Sequence, residues 1–377
     1  MLKGFYLTVM VGPVVPVPVP QTVLDSLTNV TVTSTSERRT PSGFELTFTL
    51  SNKSPLQTIF LLSGGAVIPL MRVVLIATVN GMPEVLIDGV ITKQDIEPGA
   101  NSGHSTLRVT GVDLTAMMDL IDFSGIPYPA MPIEARVALI IAKYAVFGIV
   151  PLVIPTILLD VPIPIERIPR QNGKDLQYLY DLADQVGYIF YINSGPAPGL
   201  NVAYFGPEVK IGVPQPALNV DMDAHTNVES LSFNFNAEAK TLPIVFYYNP
   251  QSKIPIPIPV PSINPLQPPL GLIPPLPLNV KLINDTAKLS PIQVAARGLA
   301  EAGRSSDAVT GRGSLDVLRY GRTLKARGLV GVRGVGMAFD GLYFVQSVTH
   351  NIKRGEYKQN FTLTRNGLVS ITPRVPA

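Results

Sequence analysis

Apolar and polar positions alternate with period two through most of the first 112 residues, the signature of strands with one buried and one wet face. The alternation is cleanest where Phe44, Leu46, Phe48 and Leu50 are offset from Glu45, Thr47 and Thr49. The pattern predicts strands from Phe5 to Val11, Val23 to Thr35, Gly43 to Ser51, Met71 to Asn80, Val85 to Thr92 and Ser105 to Thr110. Asn80-Gly81 between two of these runs marks a hairpin, because both residues tolerate the positive φ of a tight reversal. Val14 to Pro20, with prolines at 16, 18 and 20, lacks the donors a central strand needs and is expected at an edge or in a loop.

After Gly111 the period changes to that of helices. Asp113 can cap a short helix from Leu114 to about Asp122. Pro132 opens a second, reaching about Phe147 with Ile133, Val137, Ile140, Ile141 and Tyr144 on one stripe. A third runs from about Lys174 to Val186, its stripe being Leu176, Leu179, Tyr180, Ala183 and Val186, with Asp175, Asp181 and Asp184 expected to face water and Gly187 ending it. Strands from Tyr188 to Ile192 and Asn201 to Phe205 follow.

Strand periodicity returns from Val228 to Tyr248, where Leu231, Phe233 and Phe235 alternate with serine and asparagine. Prolines then crowd Pro250 to Pro277 among Ile, Val and Leu, predicting a stiff, polyproline-like arm that loses little entropy on docking. Ser290-Pro291-Ile292-Gln293 starts a helix with the stripe Ile292, Ala295, Ala296, Leu299 and Gly303, small enough for close approach to a sheet. From Gly334 to Asn366 three strand segments are expected, turning at Asp340-Gly341 and Arg354-Gly355, with Leu342, Phe344 and Val348 sharing one parity. The predicted class is α+β and mainly β, with three domains: a β-barrel over 1–112, an α/β insertion over 113–225, and a second β-barrel over 226–377 carrying the arm at 250–280 and a helix at 291–304.

Composition sharpens this picture. The chain of 377 residues has 37 Pro, no Cys, no Trp, only 15% charged residues and a mean hydropathy of +0.28. So apolar a surface points to extensive subunit contacts. The uncharged runs Tyr144 to Leu159 and Ile254 to Val280 are broken by proline and cannot cross a bilayer as continuous helices, so no membrane insertion is expected. The amino terminus reads as a first strand and not as a signal peptide.

Candidate chemistry is sparse. No thiolate site is possible, and His104, His225 and His350 are far apart in sequence, so no catalytic group, metal or cofactor is expected. The aspartates of the third helix suit a solvated face better than general acid catalysis. Arg297, Arg304, Arg312, Arg319, Arg322, Lys325, Arg327 and Arg333 outnumber Glu301, Asp307 and Asp316, giving a mildly basic stretch that fits a solvated rim as well as an acidic partner. Gly328, Gly331, Gly334 and Gly336 do not form a dinucleotide fingerprint. The interface candidates are Val17, Val19, Ile254, Ile256, Ile258, Val260, Leu270, Leu272 and Ile273, on the two proline-rich stretches.

The order of elements, with the stretches Val23 to Ser51, Ser105 to Asp119, Asn172 to Ile192, Asn227 to Asn236 and Asp340 to Asn366, resembles the phage tail hub family: late control D proteins and the N-terminal part of VgrG-type spike proteins. In Asn172 to Ile192 the resemblance lies in an Asp-Leu pair opening a helix that ends at Gly before an aromatic strand. It implies a homotrimeric baseplate hub in which two tube-like barrels per subunit match a six-fold tail tube to a three-fold spike around a channel. Its implied partners are the tail tube or a tube initiator, a separate spike chain, a tape-measure protein, and DNA or cargo in the channel. Its implied place is a virion tail or an injection-system particle assembled in the bacterial cytoplasm. A hub-associated peptidoglycan hydrolase or a glycan-binding tail protein is the alternative. The proline-rich stretches have no counterpart in the family pattern.

Overall fold

The computed structural model describes residues 4–50, 71–98, 105–156, 161–165, 168–248, 254–260, 267–283, 294, 297–299, 301–302 and 307–372. The first β-rich stretch holds β1 (Phe5–Gly12), β2 (Val17–Pro18), β3 (Leu27–Thr35), β4 (Gly43–Leu50), β5 (Arg72–Val79), β6 (Met82–Glu97) and β7 (Ser105–Asp113). The expected hairpin forms with Val79 opposite Met82, Asn80 and Gly81 both taking positive φ. The strand expected from Val23 begins later, because residues Gln21–Ser26 form the helix α1 behind Pro20, with Val23 fully buried. As expected, the proline-rich start stays at the edge: β2 pairs with β1 at only two positions.

The middle of the chain contains α2 (Ile133–Ala142), β8 (Ile149–Val153), α3 (Asp175–Val186), β9 (Ile189–Ser194), β10 (Asn201–Gly206) and β11 (Gln215–Asn219). The region after Gly111 is a 3-10 turn, Leu114–Asp119, whose start is capped by Asp113 accepting from the Thr115 backbone NH. Helix α2 is shorter than expected, its continuation being a 3-10 turn at Ala145–Phe147 closed by Gly148 in the left-handed region. The stripe of α3 packs with Val137, Ile140 and Phe205 in a second hydrophobic core, and Gly187 at φ 74° ends the helix. Asp175 departs from its expected exposure. It is fully buried at the start of α3 and accepts from the Tyr144 hydroxyl and the Gln171 amide, both at 2.7 Å, beside the Lys143 ammonium at 2.5 Å. Asp181 and Asp184, by contrast, reach Arg39 at 2.7 and 2.6 Å.

The last stretch comprises β12 (Ser230–Phe235), β13 (Thr241–Tyr248), β14 (Pro255–Pro259), β15 (Gly271–Ile273), β16 (Asn279–Ile283), β17 (Val309–Asp316), β18 (Leu329–Arg333), β19 (Gly341–Lys353), β20 (Glu356–Arg365) and β21 (Leu368–Ser370). The shared parity of Leu342, Phe344 and Val348 is broken by a bulge between Val345 and Ser347. Leu342 and Phe344 pack with Leu270 and Leu329, whereas Val345 and Val348 enter the main core. The proline-rich arm is partly sheet: β14 pairs with β13, and β15 with β21. Of the helix expected from Pro291, residues 294, 297–299 and 301–302 are described. Its buried contacts come from Val294, Gly298 and Ala302 at a spacing of four, while Leu299 is exposed. A Cβ at Gly298 would lie 2.6 Å from Val260 and 3.0 Å from Val245, so glycine permits the close approach to β13 and β14.

Most strands of the two β-rich stretches, with β11 of the middle region, form one 13-stranded sheet, ordered β12-β17-β20-β19-β3-β4-β7-β6-β5-β1-β2, with β18 branching from β19 and β11 pairing with β18, while β13, β14 and β16 and the pair β15 and β21 form separate small sheets. The expected pair of closed barrels is not seen: no sheet among the described residues closes on itself. Instead β19 pairs antiparallel with β3 over Ser347 to Lys353 and Thr35 to Asn29, a seam between the first and last parts of the chain. Phe44, Leu46, Val30, Val348, Phe361 and Leu363 point to the common core. By alternation the opposite face carries Thr31, Thr33, Thr47, Thr349, Asn360, Thr362 and Ser232, a polar surface that runs from β12 to β6.

Candidate interaction surfaces

Among the described residues no group of three or more His, Asp or Glu could hold a metal ion, and no helix is long and apolar enough to cross a membrane. His104 lies outside the described residues, and His225 is exposed. His350 lies inside β19, with its Nδ1 2.7 Å from the Tyr357 hydroxyl. Burial lowers its pKa to about 4, so it is neutral at physiological pH.

A cavity of about 260 Å³ lies between β6, β9 and the segment before β18, lined in part by Glu84, Asp113, Ser194, Arg327 and His350. Its ionisable groups are engaged with their own neighbours. Asp113 accepts from the Ser42 and Thr115 backbone NH groups and the Thr115 hydroxyl, and burial raises its pKa. Glu84 accepts from Thr323 and pairs with Lys325. Arg327, at φ 63°, lays its guanidinium 3.9 Å from the Tyr191 ring centre and donates to the Thr35 carbonyl, tying all three regions of the chain together. The mildly basic stretch is therefore not one surface: Arg327 is inserted, Lys325 is paired, Arg312 and Arg319 are exposed, and Arg304 lies outside the described residues.

A second buried junction fixes the middle region to the first strands. Arg72 on β5 donates twice to Asp88 on β6, at 2.7 and 2.6 Å, and also to the carbonyls of Val14, Phe147 and Gly199. Asp88 in turn accepts from the Asn201 amide at 2.9 Å. This bidentate pair at a three-way contact had no sequence motif; only an arginine and an aspartate on otherwise apolar strands hinted at it.

The interface candidates divide. Val260 and Leu270 are buried within the chain, and Val19 packs half-buried against the main core. Val17, Ile254, Ile256, Ile258, Leu272 and Ile273 are exposed. They are joined by apolar residues outside the candidate set, including Ile165 and Val213, each more than nine-tenths exposed, and Leu276 and Leu278. Leu276 and Leu278 lie in the arm itself, and Ile165, after Pro162 and Pro164, and Val213, before Pro214, have the same setting of apolar residues beside prolines.

The edges of the sheets differ in chemistry. The Val260 NH donates to Pro243 on β13, so by alternation Ile256 and Ile258 also turn their donors inward and Pro255, Pro257 and Pro259 face the open edge. That edge has no donors to offer. Strand β12 ends the large sheet among the described residues with the run SLSFNF, free of Pro, Lys and Arg.

No family model and no curated protein matches the chain. Solved structures do. The tail protein from Neisseria meningitidis MC58 is 14% identical and superposes over 97% of this chain and 98% of its own, with a TM-score of 0.62. The 43 kDa tail protein of prophage MuSo2 from Shewanella oneidensis is 16% identical over 96% and 99%, at 0.61. A chain of the lidded Francisella PdpA-VgrG complex is 10% identical and covers all of this chain at 0.63, but this chain spans only 55% of that one. The chain has the fold of these phage tail proteins, shared with a chain of the PdpA-VgrG complex.

Proposed function

We propose that the chain is a structural hub of a phage tail or contractile injection system, a homotrimer that adapts a six-fold tail tube to a three-fold spike around a central channel. The observation that carries this reading is the seam between β3 and β19, which unites two strand-rich stretches of one polypeptide in a single sheet. Three copies then offer six strand-built units, each in a tube-like barrel role. The fold-level likeness to tail proteins over nearly the whole chain supports the same reading.

The surface supports assembly by physical argument. Many large apolar residues are exposed on the segments around 161–168, 209–213 and 272–282, where a free monomer would hold them in water at a cost of about 25 cal/mol per Å². The unprotected β12 edge and the uncovered part of β1 are the positions at which a neighbouring copy can extend the sheet. Partners in this reading are the tail tube or its initiator, a separate spike, a tape-measure protein, and DNA or cargo in transit; the place is a tail or injection particle assembled in the cytoplasm. The role involves no turnover, since the buried carboxylates and His350 are committed to internal hydrogen bonds.

Native mass spectrometry and electron microscopy of the purified protein test this. A trimeric ring that captures a spike protein is expected. A stable monomer at high concentration with no affinity for a spike, or measurable peptidoglycan hydrolysis, would overturn it.

A further inference from the structure

The cavity between β6, β9 and the segment before β18 has an imbalance of hydrogen-bonding groups. Its acidic acceptors are engaged. Both Asp113 oxygens take bonds from Ser42 and Thr115, and the two Glu84 oxygens are held by the Thr323 hydroxyl and the Lys325 ammonium. Donors are left over. The Ser34 and Ser42 hydroxyls, both at the cavity wall, have no hydrogen-bond partner among the described residues, and the Ser194 hydroxyl accepts from the Asp88 NH but keeps its own proton to give.

The tautomer of His350 adds another donor. The Gln359 side chain accepts from the Leu324 NH at 2.8 Å and donates to the Leu324 carbonyl at 2.9 Å, which fixes the orientation of its amide. The atom 3.3 Å from His350 Nδ1 is therefore the Gln359 nitrogen, and because that group only donates, Nδ1 is an acceptor, for it and for the Tyr357 hydroxyl. The proton of the neutral ring then sits on Nε2, away from Tyr357 and Gln359, where it has no partner among the described residues although the ring lines the cavity.

A cation completes the set. Arg327 also lines the cavity and forms no ion pair among the described residues; its Nε is buried without a partner, and its Nη1 lies 3.5 Å from the Asn193 oxygen, too far for a strong bond. Placing a guanidinium in the interior without a counter-charge is costly, and an anion beside it offsets that cost.

We propose that this cavity binds a small oxyanion, its charge set against the Arg327 guanidinium and its oxygens accepting from Ser34, Ser42, Ser194 and His350. A volume of about 260 Å³ suits one phosphate, sulfate or carboxylate group with accompanying water. The donors come from the first, middle and last regions of the chain, so a bound anion links all three. The site does not depend on the proposed ring.

The chain is titrated with inorganic phosphate and, separately, with acetate, against chloride at matched ionic strength, while thermal unfolding and the imidazole NMR spectrum are followed. One of the two oxyanions should raise the melting temperature saturably, as binding to the folded state requires, and should shift the His350 Nε2 proton signal with the same constant. His350 is one of three histidines, so its signal is identified by its loss in His350→Gln. Ser34→Ala with Ser42→Ala, which keeps Arg327 in place, should weaken binding about tenfold or more. A response to phosphate alone assigns a tetrahedral anion and a response to acetate alone a carboxylate, and both support the site. A response no greater than that to chloride, an unshifted His350 signal in the unaltered protein, or an unchanged constant in the double serine variant overturns it and leaves water as the occupant.

Discussion

Thr33 on β3 and Thr349 on β19, 316 positions apart in sequence, share a hydroxyl hydrogen bond of 3.1 Å across the seam of the large sheet. The bond lies on the polar face, so it contributes to the seam without contributing to the core. Replacing either threonine with valine should cost about 0.5–1.5 kcal/mol, and the double variant should cost less than the sum of the two by about 0.5 kcal/mol. Urea unfolding of the four proteins in the cycle measures this; full additivity would mean that the bond adds nothing.

The Arg72 and Asp88 pair is buried, with side chains 4% and 0% exposed. Removing one partner strands the other charge away from water. Arg72→Met or Asp88→Asn should therefore destabilise by about 3–5 kcal/mol, whereas Arg72→Met with Asp88→Leu should recover part of the loss. Hydrogen exchange should quicken first near Phe147 and Gly199, whose carbonyls Arg72 holds.

His350 binds its proton less well in the folded protein, at about 4, than in the unfolded chain, near 6.5. The unfolded state therefore takes up more protons between these values, and stability falls as pH is lowered through that window, by up to about 3 kcal/mol. His350→Gln should flatten the dependence between pH 7 and 4 in denaturant titrations, whatever its effect at pH 7.

The prolines of β14 leave its outer edge without donors. Pro257→Thr with Pro259→Thr restores two of them at positions that face away from β13. Light scattering should then rise with time at fixed concentration, with fluorescence of an amyloid dye as the second readout. Unchanged scattering would show that this edge is covered by other means.

Local structure was the legible part of this sequence. The alternation of Phe44 to Leu50, the Asn80-Gly81 turn and the α3 stripe ending at Gly187 are each decided within a few residues, by side-chain period or by the φ a residue tolerates. What failed was decided at a distance. Val23 to Ser26 has strand-like composition, yet it turns into a helix behind Pro20 that sends Val23 into the main core. Asp175 has the spacing of a wet helical position but meets Tyr144 and Gln171, which the fold brings to it. The bulge after Val345 leaves no mark in the pattern because valine and glutamine are ordinary strand residues on either side of it. The interface candidates fared likewise: Ile256 and Ile258 are exposed as their proline setting suggests, while Val260, next in the same run, is covered by residues from the helix containing Gly298.

The pairing of residues 29–35 with 347–353 also has a consequence for biosynthesis. A ribosome has released β3 and β4 long before it reaches the codons for β19, so the early strands wait with one flank bare while most of the polypeptide is still being made. A prematurely terminated product never receives that flank and remains a substrate for chaperones and proteases. The ladder can therefore close only in molecules translated through Lys353.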